Sequence, residues 1–301
     1  MNGKRTAASG TPQPKLRARI ARSLRRLDGL PGWRRLVNTF VPEHSAPFVV
    51  DNGDTAFAGD FSSYIDRQVY LFGGYELAMI DAFVQRVPMS RRGVILDIGA
   101  NVGTHSLCFA KHFRSVHAFE PNPTLWPNFE RNIALNRLRN VTLHKIGLAD
   151  SNSELTLQLI DKPNFGLGTF STVEQYDLPL TPHATCVVRH AGEYLSEQRI
   201  VSIDAVKLDV QGFEPEVLAG LSTVLERDRP IIWCEVGSGT LKKIGKEHPF
   251  SQLLPFEFQC WRFATEPRRS RNSIRLIPQA VPQGTGNYVI VPAAASMSRN
   301  V

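Results

Sequence analysis

Unbroken apolar runs recur along the chain from residue 93, and segments with helical spacing separate them. Strands are predicted for GVILDI (93–98), SVHAFE (115–120), VTLHKIGLAD (141–150) with its closing turn, DAVKLDV (204–210) and PIIWCEV (230–236). Helices are predicted for THSLCFAKHF (104–113), PTLWPNFERNIALNRL (123–138) and PEVLAGLSTVLERD (215–228). Because apolar strands without polar alternation are covered on both faces, the pattern predicts an α/β fold with a doubly wound, mostly parallel sheet.

The remaining segments divide around this alternation. Residues 46–92 predict an N-terminal helical cover, in which the helix over 75–87 turns Leu77, Ile80 and Val84 inward. Residues 93–292 form the predicted α/β domain, whose sheet is completed by strands at FQCWRF (258–263) and NYVIV (287–291). Residues 1–45 are predicted to be a basic extension, and 293–301 a flexible tail.

The excess positive charge of the chain lies in the N-terminal arm, residues 1–45. The whole chain carries a formal charge of +7, and this arm holds ten Lys and Arg residues against two acidic ones. Within residues 15–36, Leu16, Ile20, Leu24 and Leu27 recur at helical spacing beside arginines, which is typical of a helix on an anionic membrane surface. A transit peptide and a solvated extension fit the same composition.

Composition favours a cytoplasmic protein, with membrane association through the arm as a further expectation. No apolar run approaches the roughly 20 residues of a membrane-spanning helix, and the N-terminus lacks the apolar core of a secretory signal. The four cysteines lie far apart in sequence, so neither disulfides nor a metal site is expected. Outside the arm the charge is nearly balanced, which argues against extended nucleic-acid binding.

The turn DIGANVG (97–103) is the clearest candidate for a ligand site. Gly99 and Gly103 stand four apart with Asn101 between them, whereas a dinucleotide site has the spacing G-x-G-x-x-G. Glu120, at the end of the next predicted strand, suits the ribose hydroxyls of any nucleotide ligand. Asp97 and Asp150 favour a ligand that carries an ammonium, a sulfonium and an adenine amino group. These features together favour S-adenosylmethionine over NAD.

Seven segments, in order, resemble the FkbM-type family of S-adenosylmethionine-dependent methyltransferases. They are GGYE (73–76), DIGANVG (97–103), FEPNP (119–123), GLAD (147–150), VKLDVQGFEPEVLAG (206–220), PIIWCEV (230–236) and GTGNYVIVP (284–292). The resemblance implies a Rossmann-like class I methyltransferase fold and methyl transfer to a hydroxyl of a small-molecule, glycan, glycolipid or polyketide-like acceptor. Glu76 and Asn122 join the expected cofactor contacts. Gln211 stands where the family often has glutamate, and an amide cannot serve as a base.

Candidate catalytic residues lie in KLDVQGFE (207–214). Lys207 and Asp209 share one face of a predicted strand at period two, and Glu214 begins the next helix. Asp209 or Glu214 is expected to be the general base, and Lys207 balances the charge of Asp209.

Alternatives remain open at this stage. His105, His190 and Glu76 are reserve candidates for the base. A metal ion between Asp209 and Glu235 is disfavoured, because no third ligand is apparent. An RNA methyltransferase that uses the basic arm and a nucleotide-dependent oxidoreductase are the alternatives to an O-methyltransferase.

Overall fold

The computed structural model describes residues 16–23, 33–41, 44–160, 168–170, 180–244, 249–265, 274–280, 282 and 284–293. The strands are β1 (Pro47–Asp51), β2 (Ala56–Asp60), β3 (Val94–Ile98), β4 (Ser115–Phe119), β5 (Val141–His144), β6 (Gly147–Ala149), β7 (Ser153–Ile160), β8 (Gly168–Thr169), β9 (Leu180–His190), β10 (Ile203–Leu208), β11 (Ile231–Val236), β12 (Phe258–Thr265), β13 (Ile274–Gln279) and β14 (Gly286–Pro292). The helices are α1 (Leu16–Ser23), α2 (Trp33–Asn38), α3 (Tyr64–Phe72), α4 (Leu77–Arg86), α5 (Thr104–Phe109), α6 (Trp126–Asn136), α7 (Ala191–Glu197), α8 (Glu214–Gly220), α9 (Ser222–Asp228) and α10 (Ser238–Ile244).

The main sheet confirms the predicted doubly wound arrangement. Across the described ranges it has eight strands in the order β13, β12, β14, β11, β10, β3, β4, β5. The strands from β11 to β5 in this order run parallel, whereas β14, β12 and β13 form an antiparallel edge. The chain moves outward from β3 to β5 and returns to β10 beside β3. The strand order therefore reverses between β3 and β10, where ligands bind in open α/β sheets.

Helices cover both faces of the main sheet, as the unbroken apolar strands predict. Ile95 and Trp233 point to one face, where they pack with Phe83 of α4 and Phe109 of α5. The alternate positions point to the other face. There the core includes Leu96, Leu208 and Cys234 of the sheet with Val217 and Leu218 of α8, Leu225 of α9 and Leu195 of α7. This alternation fixes which strand residues reach each face at the carboxyl edge.

The N-terminal cover contains a β-hairpin as well as the predicted helices. Strands β1 and β2 pair antiparallel, and α6 holds the hairpin because Asn132 Oδ1 accepts the Ala58 N–H at 2.7 Å. In α4, Ile80 and Val84 are buried as predicted. The inward orientation predicted for Leu77 is wrong, since this side chain is 40% exposed. Leu77 is the first residue of α4, and it lies against Gly74 in the preceding turn.

A second sheet replaces the single turn predicted after β5. Strand β6 begins three residues beyond β5 and pairs with β9, so β6, β9, β7 and β8 form a separate layer. Because β6 pairs with β9 and not with β5, Asp150 at the end of the GLAD segment lies away from the carboxyl edge of β3 and β4.

The described part of the N-terminal arm forms two short helices, α1 and α2. Ala18 and Ala21 of α1 are buried against the body, whereas Leu16 and Ile20 are 70% and 49% exposed. Arg22 Nη2 donates to Asn52 Oδ1 at 3.0 Å. The predicted stripe residues Leu24 and Leu27, and residues 294–301 of the predicted tail, lie outside the described residues. Every helix in the described ranges is too short or too polar to span a bilayer.

Candidate active site

A cavity of about 350 Å³ opens at the carboxyl edge of the main sheet, where the strand order reverses. It brings together most of the residues that the sequence predicts for a site. The predicted residues that line it are Glu76, Gly99, Asn101, Glu120, Asn122, Lys207 and Asp209. The cavity has two sides with different chemistry. We call one side the Glu120 half, which comprises Gly99, Asn101, Glu120, Asn122 and Leu148. We call the other side the Asp209 half, which comprises Glu76, His105, Lys207, Asp209, Gln211, Glu235 and Asn287.

Main-chain amides hold the carboxylate of the Glu120 half. Glu120 Oε2 accepts the Asn101 N–H and Oε1 accepts the Asn122 N–H, both at 2.8 Å. Burial raises the pKa of Glu120 to about 7, although both amides and the ammonium of Lys207 act to lower it. Each oxygen has lone-pair capacity beyond its single amide bond, so the carboxylate can accept further hydroxyl donors from within the cavity.

The backbone around the cavity is conformationally demanding at three of its lining residues. Glu76, Asn101 and Gln211 all have φ of +53°, in the left-handed region that costs most side chains energy. Gly99 has φ +78°, and a Cβ there would lie 1.9 Å from the carbonyl oxygen of Asp209. Gly99 thus joins the two halves by close backbone approach. Strained residues of this kind cluster at functional sites in proteins.

One ammonium group stands among the carboxylates of the Asp209 half. Lys207 Nζ lies 3.4 Å from Asp209 Oδ2 and 3.7 Å from Asp97 Oδ1, and it donates to the Gly99 carbonyl at 3.1 Å. Burial works against the charge of Lys207, but the neighbouring carboxylates raise its pKa to about 12. Lys207 is therefore charged at neutral pH. Burial alone would raise the pKa of Asp209, but the lysine and its hydrogen bonds hold it well below its usual value.

Gln211 bridges two carboxylates at the ends of adjacent parallel strands. Its Nε2 donates to Asp209 Oδ1 and to Glu235 Oε2, both at 2.7 Å. The charge of Asp209, followed by burial, raises the pKa of Glu235 well above its usual value. At neutral pH the two carboxylates hold opposite protonation states. Glu235 carries a proton, and Asp209 is ionised beside Lys207.

A histidine and a glutamate complete the Asp209 half. His105 Nε2 lies 3.2 Å from Glu76 Oε2, and the imidazole packs edge-on against Trp233. The indole of Trp233 in turn donates to Asn287 Oδ1 at 2.7 Å. These contacts fix both the imidazole and Asn287 at the wall of the cavity. Glu76 thus contacts His105, which is one of the reserve candidates for the general base.

Asp97 lies outside the lining of the cavity, and its predicted contact with the cofactor stays a prediction. Asp97 is fully buried, and its Oδ2 accepts the Ser106 hydroxyl at 2.5 Å. It pairs in register with Lys207, two residues deeper in the sheet than Asp209. Asp97 reaches the cavity only through Lys207.

Gly103, Asp150 and Glu214 also lie outside the lining of this cavity, contrary to their predicted roles. A Cβ at Gly103 would meet the ring of Phe129 at 2.9 Å, so this glycine allows α5 and α6 to pack. Asp150 is exposed beyond β6, and Gly147 and Leu148 line the cavity in its place. These positions speak against cofactor contacts from Gly103 and Asp150.

Glu214 organises the loop after β10 and is poorly placed to act as a base. Its Oε1 accepts the Val210 N–H at 3.0 Å, and its Oε2 accepts the Gly212 N–H at 3.0 Å and the Thr240 hydroxyl at 2.6 Å. The side chain is 1% exposed. A carboxylate with this many donors fixes the loop that carries Gln211. His190, the third reserve candidate for the general base, is the N-cap of α7 and does not line the cavity.

Several lining residues were given no role in the site from sequence. They are Tyr75, Gln211, Asn287, Phe170 and Phe213, and the two phenylalanines supply an aromatic wall. Glu235, weighed from sequence as a metal ligand beside Asp209, lines the cavity as expected of an acid that closes a parallel strand. Asn287 and Phe170 carry no comparable signal in the sequence. Within the described residues, no group of three or more His, Cys, Asp or Glu side chains is arranged to hold a metal ion.

The strand order and the cavity at its reversal define a Rossmann-like class I methyltransferase fold. Residues 97–262, more than half of the sequence, match the Methyltransferase FkbM domain, and the chain belongs to this family. The predicted family resemblance is therefore confirmed.

Curated relatives match only part of the chain. Hexuronic acid methyltransferase AglP of Haloferax volcanii is 27% identical over 133 residues, 44% of this chain and 52% of AglP. 2-O-methyltransferase NoeI of Sinorhizobium fredii is 27% identical over 154 residues, 45% of this chain and 60% of NoeI. Across four matched relatives, the aligned part spans between 52% and 66% of the relative's length.

Among solved structures, Methyltransferase FkbM from Methylobacillus flagellatus aligns with a TM-score of 0.42 at 14% identity, covering 75% of this chain and 53% of that chain. The fold class rests on the strand order itself.

Proposed function

We propose that this protein is an S-adenosylmethionine-dependent O-methyltransferase that acts on a hydroxyl of a glycan, glycolipid or polyketide-like acceptor. The observation that carries the proposal is one cavity with two different carboxylate sites. Glu120 is held by main-chain amides on one side, and Asp209 is paired with Lys207 on the other. The first site suits a nucleoside, and the second suits a hydroxyl that must lose a proton.

The residues of the Glu120 half fit the cofactor that the family implies. A buried carboxylate with lone pairs directed at the cavity matches two adjacent ribose hydroxyls. Leu148 and Leu125 supply apolar lining for a purine ring, and the carboxylates of the Asp209 half favour a positively charged group. When bound, S-adenosylmethionine supplies an activated methyl carbon on a sulfonium.

The chain's own contribution to the reaction is positioning and proton removal. Asp209 is 32% exposed toward the cavity, so its carboxylate can accept a hydrogen bond from an acceptor hydroxyl. Lys207 holds the charge and orientation of Asp209. Gln211 and Asn287 offer amide groups for the neighbouring polar atoms of the acceptor. Aromatic rings at Phe170 and Phe213 suit the apolar face of a sugar ring.

The names of two relatives support the acceptor class. One names a hexuronic acid and the other a 2-O-methyl position. The first name concerns a sugar acid and the second concerns methylation of an oxygen, and the amide-rich, carboxylate-rich wall of the Asp209 half suits a polyhydroxylated ring. We therefore place glycans first among acceptors.

The test is methyl transfer from methyl-labelled S-adenosylmethionine to a panel of defined acceptors, with mass spectrometry of the products. The panel includes oligosaccharides with and without uronic acids, glycolipids, polyketides and short RNAs. Methyl ethers on hydroxyls, lost in Asp209→Asn, would support the proposal. Transfer only to RNA, or saturable NAD binding without binding of S-adenosylhomocysteine, would contradict it.

We also propose that the N-terminal arm contacts an anionic membrane surface. Leu36 and Phe40 are 50% and 45% exposed, and they join the exposed Leu16 and Ile20 of the same arm. Exposed apolar side chains beside exposed arginines, including Arg17 and Arg19, match the chemistry of an anionic lipid surface. The proposal places the enzyme near lipid-linked acceptors.

Co-sedimentation with vesicles tests this contact. Full-length protein should pellet with phosphatidylglycerol vesicles, much less with phosphatidylcholine vesicles, and less again at high salt. Protein that carries both Arg17→Gln and Arg19→Gln, two exposed positions, should pellet less while retaining S-adenosylhomocysteine binding. Equal pelleting of both proteins would end the membrane proposal.

A further inference from the structure

The base of the proposed reaction presents a chemical problem. Asp209 lies 3.4 Å from the ammonium of Lys207 and accepts a hydrogen bond from Gln211 at 2.7 Å. Both contacts stabilise its ionised form and therefore weaken it as a proton acceptor. Alone, Asp209 would be a poor base for a sugar hydroxyl. Glu235, which shares the amide of Gln211, offers the solution.

The Asp209 half is crowded with acids and has one fixed cation. The titratable groups that interact with the Asp209–Glu235 pair are Tyr75, His105, Lys207, Glu214 and Cys234, and Glu76 and Asp97 lie around Lys207. Among these groups Lys207 is the one side chain that is always charged positively at neutral pH. Two carboxylates bridged by one amide cannot both ionise easily in such surroundings. The pair therefore carries one proton, which resides on Glu235.

We propose that the Asp209–Glu235 pair releases its proton when the cationic cofactor binds, and that the pair then accepts the proton of the acceptor hydroxyl. This inference rests on the proposed function. A positive charge placed in the same cavity favours the doubly ionised pair, because a unit charge about 4 Å away at an effective dielectric constant of about 20 lowers proton affinity about 10³-fold. The ionised, proton-accepting form of the pair is thereby populated only when the methyl donor is present.

Protons, atoms and electrons balance over the proposed catalytic cycle. In the transfer step the acceptor oxygen forms a bond to the methyl carbon, and its hydroxyl proton moves to the Asp209–Glu235 pair. The carbon–sulfur bond breaks, and its electron pair stays on sulfur as the neutral thioether. The pair is again singly protonated, which matches the cavity after the cation has disappeared. The proton that the overall reaction liberates therefore leaves at cofactor binding.

Proton release by the Asp209–Glu235 pair can be isolated by comparing the cofactor with its product, because the two ligands differ only by one positive charge and one methyl group. S-adenosylmethionine and S-adenosylhomocysteine share the adenosine that contacts the Glu120 half, so titration of Glu120 cancels in their difference. Isothermal titration calorimetry in buffers of different ionisation enthalpy counts the protons exchanged on binding each ligand. At about pH 7 we expect the cation to release about one proton more than the thioether does.

Variants assign the difference to the pair. Glu235→Gln keeps the size of the side chain but carries no releasable proton, so the difference between the two ligands should fall near zero. Glu226→Gln, at an exposed position on α9, is the matched control and should behave as the unmodified protein. Equal proton counts for both ligands in the unmodified protein, or a difference that survives in Glu235→Gln, would overturn the inference.

A second measurement needs no variant and covers the case in which Glu235→Gln does not fold. Infrared difference spectra, ligand-bound minus free, should show one carboxylic-acid carbonyl band that is lost with S-adenosylmethionine and kept with S-adenosylhomocysteine, whereas changes at Glu120 are common to both ligands. Identical difference spectra with the two ligands contradict the inference. If neither ligand binds, the proposed function fails as well, whereas binding of both with equal proton release overturns this inference alone.

Discussion

The two halves of the cavity hold their carboxylates by different means. In the Glu120 half, both oxygens of Glu120 accept main-chain N–H groups at 2.8 Å. In the Asp209 half, the carboxylates are held by the side chains of Lys207 and Gln211. Main-chain donors are neutral and fixed by the turn, so the Glu120 half is organised before any ligand arrives. Side-chain partners carry charge and protons, so the Asp209 half can change state when its ligand changes.

This difference separates binding from chemistry. The half built on main-chain amides suits a constant part, the nucleoside shared by cofactor and product. The half built on titratable side chains suits the reacting centre, where charge appears and disappears during the cycle. Substitutions that act on one half should therefore alter affinity, and those that act on the other should alter turnover.

The largest effect is expected where the halves meet, at Gly99. Gly99→Ala adds a Cβ 1.9 Å from the Asp209 carbonyl oxygen at φ +78°, which should lower the free energy of unfolding by about 3–5 kcal/mol. Gly284→Ala is the matched control, because Gly284 has φ +80° and open space around its Cβ, and about 1–2 kcal/mol is expected there. Urea unfolding measures both. Equal losses would show that backbone conformation alone, and not the junction, makes Gly99 necessary.

The next effect concerns the Asp209 half. Asp209→Asn keeps size and hydrogen bonding but removes the ionised acceptor, so kcat with an acceptor from the panel should fall about 10²- to 10⁴-fold. Affinity for S-adenosylhomocysteine should change less than about threefold, because the nucleoside contacts lie in the other half. Steady-state kinetics and calorimetry measure the two quantities. If Asp209→Asn kept full turnover, Asp209 would not be the general base, and the His105–Glu76 pair would become the candidate.

Glu214→Gln is the companion to that experiment. The structure gives Glu214 a role in holding the loop after β10, so its substitution should lower the melting temperature while kcat falls less than about tenfold. A loss of turnover as large as that of Asp209→Asn, with unchanged stability, would restore Glu214 as a candidate base.

The positions of Lys207, Asp209 and Glu120 could be predicted from the sequence because local properties of the chain decide them. Strand periodicity placed Lys207 and Asp209 on one face, and the structure has their charged groups 3.4 Å apart. An acid at the end of a parallel strand predicted Glu120 at the ligand edge. Neither inference needs knowledge of distant segments, because the alternation of a strand and the geometry of its carboxyl end are local properties.

The remaining residues could not be placed because their positions depend on long-range packing. Asp97 has the expected orientation but lies two residues deeper than Asp209, beneath Lys207. Asp150 departs from the site because β6 leaves the main sheet to pair with β9. The contact between Gln211 and Glu235 joins the ends of two strands separated by a helical excursion, and no local pattern encodes it.

The third effect is confined to the Glu120 half. Glu120→Gln replaces one carboxylate oxygen by an NH₂ group, which cannot accept the main-chain N–H that this oxygen accepted. We expect affinity for S-adenosylhomocysteine to fall about 10- to 100-fold. Asp150→Asn, outside the cavity, serves as the control and should change affinity less than about twofold. Comparable losses in both variants would return Asp150 to the binding site.

The smallest effect is a pH dependence that belongs to Glu120 alone. Burial raises the pKa of Glu120 to about 7, and ribose hydroxyls donate to its ionised form. Protons therefore compete with the ligand below that pKa, so affinity should fall as pH falls through 7 and should level off above it. Between pH 8 and pH 6 the loss should be about tenfold.

The probe for this dependence is 5′-methylthioadenosine, which keeps the ribose but lacks the amino acid and its titrating groups. Calorimetry from pH 6 to 8 should give a rising affinity in the unmodified protein and a flat, weaker one in Glu120→Gln. Glu235→Gln should keep the slope, because the probe is uncharged and leaves the proton of the Asp209–Glu235 pair in place. The opposite result would be a pH dependence of affinity that is lost in Glu235→Gln and kept in Glu120→Gln. The carboxylate whose titration governs nucleoside binding would then lie in the Asp209 half and not in the Glu120 half.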